Sequence, residues 1–322
     1  MDANSIDIFN HHSVSCKIDK FRLHGHALTD VLNDDIEQIV VDNVRNARYK
    51  YFYEHTYSDR PNGYCRLHNI SYYQYYDNGT KERFTIAIFV GFNGPNACGT
   101  EEEQRRFVIE FNPQKFKVPT WLRAYFQKKF FMVEYINDID LAIDFRGFER
   151  SRFRYILNNG NTICTSTGTA NNKTDYIGKD KHNNRIKIYD KKKERSKYIE
   201  MEEETTRVEI TLRYVHRFYF KNVQGEEMKF LLAAADVLSQ VFILGEDCKD
   251  PFVYALNCLS QEELNCAMAL MSAPTKRRYR KLMKDSAQYT VLCDATELLF
   301  YLDSHLKNIL TTSGIYYEHK TF

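Results

Sequence analysis

Hydrophobic and polar residues alternate along NDIDLAIDF, residues 137–145, with Ala142 as the small apolar exception on the polar side. Ile139, Leu141, Ile143 and Phe145 fall on one side of an extended chain, and Asp138, Asp140 and Asp144 on the other. RVEITLR, Arg207–Arg213, repeats the pattern, with Val208, Ile210 and Leu212 set against Arg207, Glu209 and Arg213. In RIKIYDKKK, residues 185–193, Ile186 and Ile188 alternate with Arg185, Lys187, Tyr189 and Lys191. Each stretch predicts a strand with one core face and one charged face.

The same reading extends along the chain. SVSCKIDKFRL predicts a strand after an irregular start. LTDVLNDDIEQIVVDNVRN has helical spacing at Leu28, Leu32, Ile36, Ile39 or Val40, and Val44, with Thr29 or Asp30 as caps. From Arg48 to Phe111, aromatic and β-branched runs alternate with the turn clusters DRPNG, DNGT and GPNACGTEEE, which predicts an antiparallel meander. PTWLRAYFQKKF predicts a short helix opened by Pro119, and MVEYINDIDLAIDF a long strand. GFERSRFRYILN predicts a helix and NNGNTICTSTGTANNKT a loop. TDYIGK and NRIKIYDKKK predict two strands around KDKHNN, and EETTRVEITLRY one more.

After about Gln224 the segments EEMKFLLAAADVLSQVFIL, PFVYALNCL, SQEELNCAMALM, PTKRRYRKLMKDSAQY and DATELLFYLDSHLKNIL all carry helical periodicity. The expectation is an α+β protein: a central, largely antiparallel β-sheet with flanking helices and a helical C-terminal region. Its division is a β-rich body at 1–223 and a helical region at 224–322.

Composition changes this picture modestly. Aromatic residues make up 14% of the 322, with 23 Tyr and 22 Phe against one Trp. That favours strands and supplies ring faces on which bases can stack. The formal charge is only +2. Basic residues nevertheless concentrate between Lys173 and Lys197, and again in TKRRYRK after Pro274, which suits a polyanionic partner. Eight cysteines without a CxxC pair argue against structural zinc and fit reduced thiols. With no basic-then-apolar leader and no run of about 18 apolar residues, the expected location is cytoplasmic.

If the three alternating strands are neighbours, carboxylates, lysines and a tyrosine share one face. Three aspartates on one strand repel one another and call for basic partners or a hard cation such as Mg²⁺ or Mn²⁺. A phenol with an ordinary pKa of about 10 needs help to ionise, and a nearby cation supplies it. The face therefore suits attack of tyrosine on a phosphodiester, which stores the broken bond as a phosphotyrosine.

TDYIGKDKHNNRIKIYDKKKER followed by TTRVEITLR resembles the replication initiation factors of rolling-circle plasmids and some phages, the group that contains the staphylococcal plasmid initiators. NDIDLAIDF is similar to that family's acidic strand and FVIEFNPQKF to a further strand and loop. The resemblance runs in order from Arg106 to Arg213. It implies a metal-dependent endonuclease that nicks and rejoins DNA at a double-strand origin. Tyr189 would then become joined to the 5′ phosphate, with Lys191 and Arg185 as phosphate or phenolate partners. Asp140, Asp144 and Glu209 would be the Mg²⁺ or Mn²⁺ ligands, with Asp138 and Glu110 in reserve.

Tyr176 is the rival nucleophile. The resemblance also implies a homodimer and a host helicase as partner. Many other rolling-circle nickases ligate metal through a His-hydrophobic-His pair. Here LHGHA puts glycine between His24 and His26, outside the matching block, so those histidines are read as ordinary side chains. Two alternatives stay open: a conjugative or mobilisation nickase using the same chemistry, and a non-catalytic DNA-binding regulator.

Overall fold

In the computed structural model, residues 4–28, 33–46, 51–56, 64–92, 105–155, 164–168, 173–178, 185–213, 226–245 and 250–317 are described. The turns DRPNG, GPNACGTEEE and KDKHNN, most of the loop before Thr174, and the helix caps Thr29 and Asp30 lie outside them. The fold is α+β, with a large, mostly antiparallel central sheet, flanking helices and a helical C-terminal region. The chain divides into two compact units, each assembled from non-contiguous segments. Among the described residues no helix is long and apolar enough to cross a membrane.

One unit holds residues 18–140, 214–227 and 300–322. Its strands are β2 (Val14–Ala27, from Ile18 onward), β3 (Phe52–Thr56), β4 (Tyr64–Tyr75), β5 (Lys81–Phe92), β6 (Arg106–Phe111) and the first part of β7 (Phe131–Arg146). They stand in the order β3-β4-β5-β6-β2-β7, the expected meander closed by the N-terminal strand. The sheet's inner face is apolar: Ile70, Phe84, Ile86, Ile88, Phe21, Leu23, Phe107, Ile109 and Phe111 are buried.

Helix α1 (Asn33–Asn46) contacts β3 and β4, and α2 (Thr120–Lys128) buries Leu122, Tyr125 and Phe126. Burying each such large side chain contributes roughly 1.5–3 kcal/mol. Gly25 is needed where it stands. A Cβ there would collide with the Met132 carbonyl oxygen and come within 2.8 Å of the Phe107 ring.

The other unit holds residues 1–17, 141–213 and 228–299. Strands β9 (Cys164–Thr167), β10 (Thr174–Ile177), β11 (Arg185–Asp190) and β12 (Thr205–Arg213) follow one another antiparallel, and β12 lies beside the end of β7. A second, four-stranded sheet runs β1-β14-β13-β8, from β1 (Asn4–Asp7), β8 (Phe153–Tyr155), β13 (Val241–Leu244) and β14 (Ala287–Leu292). Around it lie α4 (Glu226–Leu238), α5 (Pro251–Cys258), α6 (Gln261–Leu270) and α7 (Ala273–Asp285). The long α8 (Ala295–Ser313) follows. Phe242, Leu244, Val253, Leu256, Leu264, Met268, Met283 and Ala287 form one core beneath these helices.

Four expectations are corrected. The loop expected over NNGNTICTSTGTANNKT contains strand β9, which pairs antiparallel with β10. GFERSRFRYILN is not a helix over its described part. A 3₁₀ turn at Arg150–Arg152 leads into β8, where Phe153, Arg154 and Tyr155 are all buried. The β-favouring aromatics gain partners in β13, and Arg154 survives burial by donating to the carbonyls of Ser151, Phe153, Asn257 and Leu259. The helix expected through EEMKFLLAAADVLSQVFIL stops at Leu238, because VFIL, with two β-branched residues and an aromatic one, pairs as β13. Strand β11 ends at Asp190 and does not run on through the three lysines that follow. The Asp190 carboxylate accepts from the Lys193 N–H at 2.8 Å and caps a short helix, α3 (Lys191–Arg195).

Candidate active site

Cross-strand register assembles the site. Tyr189 on β11 lies opposite Arg207 on β12 and Thr174 on β10, while Lys187 lies opposite Glu209 and Tyr176. Arg185, Lys187 and Tyr189 are half-buried, whereas Ile186, Ile188 and Asp190 between them are buried. The alternation therefore presents the first three on one face, as the sequence pattern requires.

Glu209 is 5% exposed and sits between two donors. Lys187 Nζ is ion-paired with its Oε1, and the Tyr189 hydroxyl donates to its Oε2 at 3.4 Å. Asp144, 7% exposed, is gripped by Arg207, 6% exposed. Arg207 Nε and Nη2 donate to the two carboxylate oxygens at 2.5 and 2.8 Å, and Lys17 Nζ stands 3.9 Å away. The geometry is the bidentate fork that guanidinium makes with carboxylate. Arg185 lies over the Tyr176 ring, 4.5 Å from its centroid. Lys191 has left the strand, yet its ammonium is 5.8 Å from the Tyr189 ring and 2.6 Å from Glu194.

Of the expected metal ligands, Asp144 and Glu209 lie on the neighbouring strands β7 and β12. Asp140 belongs to the other unit. Asp144 and Glu209 are each committed to a protein cation, and among the described residues no three His, Cys, Asp or Glu side chains converge to hold a metal ion. As arranged, Asp144 and Glu209 hold their charges against protein cations. They fit a site whose charges are balanced by Lys187 and Arg207.

The reserve candidates form a separate cluster on the other unit. Arg22 donates to Glu110 at 2.8 Å and is 3.5 Å from Asp138, and Lys20 also pairs with Glu110. Burial alone would raise the Glu110 carboxyl, but Lys20 and Arg22 outweigh it and hold it below its usual range. His24 stacks on Tyr135 with ring centroids 4.5 Å apart, and burial pushes its pKa down to about 4, with Arg22 adding to the effect. His26 Nδ1 is 2.9 Å from Glu134.

Lys187 and Arg207 were visible in sequence as charged-face residues, but nothing local marked them as the partners of Glu209 and Asp144. A further network escaped the sequence altogether. On the opposite side of β10, the buried Asp175 pairs with Arg150 and accepts from Ser166 Oγ at 2.6 Å. The basic run of TKRRYRK lies on α7, capped by Ser272, with Arg277, Arg278 and Lys281 exposed. Lys284, nearer the core, donates to Gln240 at 3.0 Å, and burial lowers its pKa.

No family model and no curated protein sequence matches the chain. A solved rolling circle replication initiator protein from Geobacillus stearothermophilus is similar in structure, with 12% sequence identity and a TM-score of 0.37, over 74% of this chain and 89% of that one. A likeness that weak assigns no activity.

Proposed function

We propose that the chain nicks and rejoins DNA to start rolling-circle replication, with Tyr189 as the nucleophile. The observation that carries this reading is the hydrogen bond from the Tyr189 hydroxyl to Glu209, a carboxylate braced on its other oxygen by Lys187. Glu209 takes the phenolic proton as the tyrosine oxygen attacks phosphorus. The P–O3′ bond breaks, the 3′ oxygen leaves and takes a proton from solvent water, and the 5′ phosphate stays on Tyr189. Reversal by a 3′ hydroxyl returns the proton and reseals the strand. Arg185 and Lys191 supply positive charge for the phosphate, and the Arg207–Asp144 pair holds β12 against β7. The exposed cations of α7 suit the backbone of duplex DNA without reading its sequence. A second copy of the chain and a helicase are the partners the sequence resemblance adds.

The test is incubation with a supercoiled library carrying fragments of the chain's native replicon, with Mg²⁺, with Mn²⁺ and with chelator. An SDS-resistant protein–DNA adduct and nicked circles are expected, and Tyr189→Phe should abolish both. Persistence of the adduct in that variant would move the nucleophile to Tyr176. Sequence-specific binding with no adduct under any condition would replace the enzyme reading with the regulator. Cleavage confined to a transfer locus would replace it with the conjugative nickase.

A further inference from the structure

The outward face of the β3–β4–β5 ribbon takes no part in that chemistry, and it has an unusual composition. Phe52 on β3 lies opposite Ser71 on β4, so residues 52, 71, 73 and 75 share one face. The inward face carries Ile70, Phe84 and Ile86, all buried. An antiparallel sheet with one buried face ordinarily turns polar side chains to water. Here rings are turned out instead: Phe52 is 41% exposed, Tyr75 is 66% exposed, and Tyr73 between them is half-buried.

The rings form a track. Phe52 and Tyr73 centroids are 5.0 Å apart, and Tyr73 and Tyr75 are 6.5 Å apart. Each tyrosine faces a cation across the β4–β5 ladder, Tyr73 opposite Arg83 and Tyr75 opposite Lys81. Lys81 Nζ stands 4.3 Å over the Tyr73 ring. Arg83 is oriented by Ser71 Oγ at 3.0 Å and by Glu54 at 2.6 Å. Ser71 also shares a hydrogen bond with Thr85 at 2.8 Å, which stiffens the floor between the rings.

We propose that this face binds single-stranded nucleic acid, its bases stacking on Phe52, Tyr73 and Tyr75 and its phosphates meeting Lys81 and Arg83. Exposed rings alternating with cations match a strand in which bases alternate with phosphates, and every base offers a π-face. Duplex DNA is a poor occupant because its bases are already stacked. The site lies entirely within one unit, uses no residue of the Tyr189 face, and stands whether or not the chain nicks DNA.

The experiment is fluorescence anisotropy of the full chain with a labelled oligo-dT of about 15 nucleotides and with a duplex of equal length. Phe52→Ala with Tyr75→Ala should weaken oligo-dT binding by at least about tenfold, from the usual worth of stacked bases. Tyr75→Trp should preserve binding, and Lys81→Glu should weaken it and flatten its salt dependence. Photocrosslinking of 5-iodo-deoxyuridine oligomers to wild type should map to Phe52, Tyr73 or Tyr75. Wild-type oligo-dT affinity in a folded ring double variant would overturn the proposal, as would crosslinks found only outside β3–β5. Tyr189→Phe fails in adduct formation but not in this assay, so the two readings separate.

Discussion

Replacing Arg207 by methionine leaves the Asp144 carboxylate buried beside an apolar side chain of similar reach. At 7% exposure water cannot take the place of the guanidinium, and Lys17, 3.9 Å away with a side chain 39% exposed, is too wet to substitute. Removing one partner of a buried ion pair costs about 3–5 kcal/mol, mostly as the penalty of the stranded charge. For a unit of this size that corresponds to a fall in Tm on the order of 10 °C. Urea unfolding followed by circular dichroism measures it directly. The double variant Arg207→Met with Asp144→Leu should recover most of the loss, because packed apolar pairs commonly match buried ion pairs. A single-variant loss below about 1 kcal/mol would refute the reasoning. So would Mn²⁺ stabilisation of the wild type that vanishes in Asp144→Asn, because Asp144 would then be a ligand and not the anchor of Arg207.

Three further outcomes follow from the same geometry. His24 titrates near 4 when folded and near 6.5 when unfolded. Its depressed pKa means stability is full above about pH 6.5 and falls as pH drops toward 4, by up to roughly 3 kcal/mol; His24→Phe should flatten that part of a pH-dependent unfolding series. Gly25→Ala forces a Cβ against the Met132 carbonyl and should cost about 1–3 kcal/mol in denaturant unfolding, as overpacking does. Asp190→Ala removes the cap of α3 and should cost about 1 kcal/mol, with faster amide exchange at Lys193, whose N–H loses its 2.8 Å acceptor.

What sequence could read was periodicity. Tyr189, Lys187 and Arg185 share a face because a strand repeats every two residues, and Ile186 and Ile188 are buried as that rule demands. Periodicity failed where a local competitor won. Asp190 could continue a strand or cap a helix, and the Lys193 N–H decided it. It failed again at Arg154, whose acceptors at Asn257 and Leu259 lie more than a hundred residues away, so a buried arginine looked like the polar side of a helix.

Register was the larger omission. Asp140 and Asp144 on one strand and Glu209 on another read as metal ligands while their neighbours were unknown. Once Lys187 faces Glu209 and Arg207 holds Asp144, two of those carboxylates have cations already. Alternation assigns a residue to a face, but the cross-strand partner sets the charge that residue presents there. A face that sequence counted as acidic and basic by turns is paired across the strands, and the tyrosine hydroxyl is left against a carboxylate whose charge lysine balances. On the function proposed above, that pairing gives the phenol's proton an acceptor.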